Sequence, residues 1–148
     1  MYDTGGKDVF GAPIIVDEYK NSTAFEKCIS YKLSQLGFST KDQVIIGNKG
    51  VSFSDYIIDT ILDENILVEV KLQNTGGTAE NKLAYEMWTL QYACDHSNLY
   101  EKGYIIYGGT GFTRSVLTNL HEIVKMYSKV ELIKYENDKT LSIIRNEI

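Results

Sequence analysis

Two apolar runs separated by a short polar break set the pattern of this chain. Tyr56, Ile57, Ile58, Thr60, Ile61 and Leu62 form the first run and Ile66, Leu67, Val68, Val70 and Leu72 the second. These are the β-branched, aromatic and aliphatic residues that strands favour. Asp63, Glu64 and Asn65 lie between them and suit a three-residue loop with Asn65 in the left-handed conformation, so a β-hairpin is predicted in which Leu62 faces Ile66. Because strand side chains alternate, counting outward sets Asp59 opposite Glu69, Ile57 opposite Lys71 and Asp55 opposite Gln73, all on one face. Tyr56, Ile58, Thr60, Leu62, Ile66, Val68, Val70 and Leu72 make the other face, which is expected to pack on a core.

The same patterning predicts the remaining elements. Gly5, Gly6, Gly11 and Pro13 interrupt residues 1–20, which are expected to form an irregular arm with a short edge strand at Ile14, Ile15 and Val16. Phe25, Cys28, Ile29, Leu33 and Leu36 fall at helical spacing, giving a helix capped by Ser22 or Thr23 and stopped at Gly37. Val44 to Ile46 reads as a short strand, followed by a turn over Gly47 to Gly50. Thr78 caps a second helix that runs to about Cys94 with Leu83, Met87, Leu90 and Cys94 inward. Gly103 to Tyr107 reads as a buried strand, Gly108 to Gly111 as a loop, and Thr113 to Tyr127 as a third helix. Val130 to Tyr135 and Leu141 to Ile144 read as a last pair of strands around Asn137 and Asp138. A hairpin followed by strands joined through helices implies an α/β domain, a mixed central β-sheet flanked by helices, with the polar hairpin face near one sheet edge. No repeat or linker divides residues 1–148, so one domain is expected.

Composition narrows the function classes. A net charge of −5 argues against a nonspecific nucleic-acid coat protein but is compatible with an enzyme that touches DNA locally and carries metal-binding acids. No stretch approaches the ~18 apolar residues of a membrane span, and Met1 to Lys7 lack a signal-peptide pattern, so a cytoplasmic protein with no membrane partner is expected. Cys28 and Cys94 each fall on an apolar helix stripe and read as buried free thiols. Asn21, Ser22 and Thr23 match a glycosylation acceptor but read better as a helix start.

The hairpin's charged face carries the chemistry. Directly opposed strand residues have Cβ atoms roughly 5 Å apart, so Asp59 and Glu69 repel one another unless something offsets their charge. A solvated charged strand pair is the plain alternative, and this opposition of like charges counts against it. A divalent cation offsets the repulsion, and Mg2+ characteristically takes one or two carboxylates and keeps its other positions for water and phosphate. An acid two residues before a lysine occurs three times, at Glu18, Glu69 and Glu80. Only Glu69 stands on an apolar strand with an acid opposite. Elsewhere the plain readings suffice: Gly108 to Gly111 lack the lysine ending of a phosphate loop, and His96 and His121 are too few for a histidine-metal site. Tyr85, Trp88 and Tyr92 fit core or interface packing better than base stacking.

Asp59 followed by Glu69, Val70 and Lys71 on the next strand resembles the core of the PD-(D/E)XK nuclease superfamily, which includes restriction endonucleases, Holliday-junction resolvases and phage recombination exonucleases. The likeness covers about residues 22–108. The run Glu69 to Gln73, followed by Gly77, Thr78, Ala79, Glu80, Asn81 and Lys82, is similar to restriction-type members. The resemblance implies a restriction endonuclease-like αβββαβ core and a Mg2+-dependent DNA endonuclease, with Mn2+ as a substitute metal. Asp59 and Glu69 would hold the metal, Lys71 would orient or deprotonate the attacking water, and Gln73 would join the site as a hydrogen-bonding residue. Glu26 matches an acid on the family's first helix that serves a second metal, although an acid at a helix start needs no such role. Asp55 competes with Asp59 as first ligand, since Ile58 rather than proline precedes Asp59 and Ser54 with Asp55 looks more like the motif's opening pair. Thr78 and Lys82 are the candidate nucleic-acid contacts. A symmetric homodimer on DNA is implied, one subunit per strand. Alternatives are a junction or flap nuclease and a non-catalytic nucleic-acid-binding module.

Overall fold

The computed structural model of this 148-residue chain describes residues 1–48, 54–76 and 79–147. In order along the chain come β1 (Tyr2–Lys7), β2 (Pro13–Val16), α1 (Ser22–Gln35), β3 (Thr40–Asn48), β4 (Asp55–Leu62) and β5 (Ile66–Leu72). Then follow α2 (Ala79–Asp95), β6 (Lys102–Gly108), α3 (Arg114–Ile123), a 3-10 turn over Val124–Met126, β7 (Val130–Lys134) and α4 (Asp138–Glu147). Among the described residues the main sheet has the order β3-β4-β5-β6-β7; β3 to β5 are antiparallel and β5 to β7 parallel. It is a five-stranded mixed sheet flanked by helices. β5 is its middle strand, so the hairpin lies at the centre of the sheet and not near an edge.

Helices cover both faces, and their apolar stripes show why. Phe25, Ile29 and Leu33 of α1, with Leu141 and Ile144 of α4, pack on Leu62, Ile66, Val68, Val70, Tyr104 and Ile106. Leu83, Met87, Leu90 and Cys94 of α2, with Leu120 of α3, pack on Tyr56, Ile58, Ile61, Leu67, Ile105 and Leu132. A fully buried aliphatic side chain of this kind is worth about 1.5–3 kcal/mol relative to exposure. The expected single apolar hairpin face is therefore corrected: Tyr56 and Ile58 face α2, whereas Leu62, Ile66, Val68 and Val70 face α1. β4 changes face between Ile58 and Ile61, beside Gln43 of β3, whose φ of 52° breaks the regular pleat.

Other expectations are corrected locally. Residues 1–20 contain an antiparallel pair, Tyr2↔Val16 and Asp3↔Ile15, that forms its own sheet. The α1 cap is Asn21, whose Oδ1 accepts from Ala24 N–H at 2.8 Å; an amide at this position serves as well as the hydroxyls expected to do so. The hairpin closes with Leu62 facing Ile66, but positive φ falls on Asp63 (48°) and Glu64 (70°), and Asn65 N–H donates to Leu62 O at 3.1 Å. That is the pattern of a turn with two left-handed central residues, which matches strand twist better than one left-handed Asn65. α3 stops at Ile123 and passes into the 3-10 turn. Leu141 to Ile144 belong to a helix, α4, and not to a strand: Leu141 and Ile144 are buried three residues apart while Ile143 is exposed. Four residues of apolar sequence are too short to separate the two periods.

Candidate active site

β5 is held differently on its two sides. β6 pairs with it from Ile66↔Lys102 through Leu72↔Gly108, while β4 pairs only at Leu62↔Ile66, Ile61↔Leu67 and Thr60↔Val68. Beyond Thr60 the two strands separate. The Val70 N–H, which would otherwise seek a main-chain carbonyl on β4, donates to Asp59 Oδ2 at 2.7 Å. Asp59 therefore closes the mouth of the opening with its side chain. Gln43 Nε2 stands 3.5 Å from its other oxygen, at the limit of a hydrogen bond. On β5, Glu69 is only 6% exposed and its Oε1 has no hydrogen-bond partner, while Lys71 Nζ lies 2.7 Å from Glu86 Oε1 on α2. The expected Asp55 pairs with Asn48 of β3 and is exposed, apart from the opening.

The electrostatics show an excess of negative charge. Burial, then repulsion by Asp59 and Glu86, holds Glu69 well above the usual carboxylate range. Burial also raises Asp59, although the Val70 N–H and Lys71 oppose the shift. Glu26 of α1 is pushed up to about 7 by burial and by Asp59. Burial alone would lower Lys71, but Glu86, and after it Glu69 and Asp59, raise it overall, so it remains an ammonium. A buried acid with no partner is costly unless a cation or proton neutralises it. Glu26, Asp59, Asp42, Gln43, Thr23 and Val70 line a cavity of about 320 Å3 on the α1 side of the opening.

Hard oxygen donors with uncompensated charge and an orphaned buried Oε1 fit a divalent cation of the Mg2+ type. Among the described residues no group of three or more His, Cys, Asp or Glu side chains is close enough to hold an ion alone. Asp59 and Glu69 would then be its protein carboxylates, with water and phosphate completing the shell.

The other candidates fall at varying distances from this centre. Gln73 is buried; its Nε2 donates to Gly111 O at 2.8 Å and its Oε1 lacks a partner. Lys82 is exposed on α2. Thr78 and the side chain of Glu80 lie outside the described residues. Gly108 to Gly111 form a packed loop: Gly109 has φ 97°, and a Cβ there would come within 2.4 Å of Gln73 O. Cys28 and Cys94 are buried and free. His121 Nε2 bonds the Tyr107 hydroxyl at 2.8 Å, and His96 stacks on Tyr92. Tyr85, Trp88 and Tyr92 stack on one another along α2.

A family model for a PD-(D/E)XK nuclease superfamily domain matches residues 16–145. The chain belongs to the PD-(D/E)XK nuclease superfamily. No curated protein and no solved structure matches it. In this PD-(D/E)XK domain the expected site residues Asp59, Glu69 and Lys71 lie around the opened end of the β4/β5 ladder. No described helix is long and apolar enough to cross a membrane. Glu86 belongs to no motif in the sequence. Its only mark there is position: three residues after Leu83 and four before Leu90, it stands beside the buried stripe of α2, where a charge needs a partner.

Proposed function

We propose that this superfamily member is a Mg2+-dependent DNA endonuclease of the restriction type, with Mn2+ as a substitute metal, working in the cytoplasm as a symmetric dimer. The observation that carries the reading is Glu69: a buried carboxylate with an unpartnered oxygen, kept beside Asp59 where the ladder opens. Asp59 and Glu69 would hold the cation, which would supply charge for the phosphate and make an attacking water more acidic. Asp59 orients itself through the Val70 N–H, and β6 fixes Glu69 and Lys71 along the full length of β5. Lys71, held as an ammonium, orients the attacking water and stabilises charge developing on the phosphate. Glu26, which lines the adjoining cavity, would serve a second cation, and Gln73 and Lys82 are further candidates for substrate contact.

The test is incubation of the protein with supercoiled plasmid, single-stranded DNA and RNA in Mg2+, in Mn2+ and in EDTA. Nicking or linearisation of plasmid that EDTA abolishes supports the reading. Cleavage confined to RNA, or unaffected by EDTA, overturns it.

A further inference from the structure

The acid on α2 is the functional element that neither the motif nor the family match assigns. We propose that Glu86 is a positioning residue, which anchors the Lys71 ammonium on the α2 side of Glu69 and so fixes where that ammonium meets the scissile phosphate. The inference rests on the nuclease reading for its consequence, but its geometry stands apart from it.

Three observations carry it. Lys71 Nζ and Glu86 Oε1 are 2.7 Å apart, with both side chains largely screened from solvent (30% and 18% exposed), so this pair differs from a loose surface ion pair. Glu86 occupies a helix position flanked by the fully buried Leu83, Met87 and Leu90, where an apolar residue would pack without desolvating a charge. Glu69, two residues before Lys71, keeps an oxygen unpartnered and acts on the ammonium only through space, whereas Glu86 is in direct contact with it. A long lysine side chain loses considerable rotamer freedom when held. A carboxylate from the helix packed over the strand supplies that restraint, leaving Glu69 free for a cation.

The substitution Glu86→Leu separates positioning from structure, because leucine suits the apolar stripe and keeps the helix packed. Thermal unfolding of the variant should show a fold at least as stable as the parent. Plasmid cleavage should fall ~10–100-fold, through kcat with KM little changed, as expected for loss of an outer-shell partner. Glu86→Gln, whose amide oxygen still accepts from Nζ, should recover part of that loss, and Glu86→Leu should add little to the defect of Lys71→Met. NMR of the Lys71 Cε methylene gives a readout that needs no activity: two distinct proton shifts in the parent should merge in Glu86→Leu. A stable Glu86→Leu that cleaves as fast as the parent, or whose Lys71 methylene is unchanged, overturns the proposal. Failure of the parent to cleave any substrate would overturn the nuclease reading instead, and the Lys71 resonances would still decide whether Glu86 anchors it.

Discussion

The two edges of β5 face β6 and β4 and are treated oppositely. Along β6 the parallel ladder is complete from Ile66↔Lys102 to Leu72↔Gly108, and the strand ends are locked further by Gln73 N–H on Gly108 O at 3.1 Å and Gly111 N–H on Gln73 O at 2.7 Å. Along β4 the ladder stops at Thr60↔Val68, and a carboxylate takes over the next donor. One edge gives rigidity; the other gives access. A site that must hold charged groups within a fraction of an ångström, and yet admit a cation and a phosphate, needs both on the same strand. On the proposed function, Glu69 and Lys71 would obtain their fixed positions from the closed edge and their chemistry from the open one.

This contrast breaks in different ways when each edge is altered. Glu69 apart, Asp59→Asn should have the largest effect: the Asn oxygen still accepts from Val70 N–H, so the fold survives, while loss of the carboxylate should lower metal-dependent cleavage by ~100-fold or more, beyond what removal of an outer-shell partner costs. Unchanged cleavage would detach the open edge from catalysis. At the closed edge, Gly109→Ala places a Cβ within 2.4 Å of Gln73 O at a φ of 97°, and should cost about 2 kcal/mol or more of stability in urea unfolding. A neutral result would show that the lock is not under strain.

The metal-free open edge should also show in the pH dependence of stability. Glu69, Asp59 and Glu26 are all raised above their usual range, Glu26 to about 7. Between about pH 4.5 and 7 the native state thus keeps protons that the unfolded chain has released, so stability falls as pH rises through this window. Thermal melts of the metal-free protein should show that decline, and Glu26→Gln should flatten it. A rise over the same window would mean that the acids are already compensated. The smallest effect is expected at Asp55, exposed and paired with Asn48 on β3: Asp55→Asn should change cleavage by no more than about twofold. A large loss there would move the first ligand to Asp55.

Much of this arrangement is legible in the residue pattern. The short turn and the alternation around it fix Leu62 opposite Ile66, and with it the approach of Asp59 to Glu69. What the pattern lacks is where pairing stops. Alternation continues through Tyr56, Ile58 and Thr60 while the strand itself changes face, because both faces of the sheet are covered and each accepts apolar residues. Glu86 is unreadable as a partner for a related reason: helix spacing places it beside the core, but only tertiary packing brings Lys71 to it. Leu141 to Ile144 show the limit for short segments, four residues that serve a strand or one turn of α4 equally well.

Glu69→Gln tests most directly whether a carboxylate with one oxygen left unpartnered at the open edge performs metal-dependent phosphodiester cleavage. The amide matches the size of the acid and replaces a buried carboxyl whose pKa burial holds well above the usual range, so the metal-free variant should melt at or above the parent temperature at neutral pH. In saturating Mg2+ or Mn2+ the parent should cleave plasmid and Glu69→Gln should not. Equal cleavage by a folded Glu69→Gln would contradict the account.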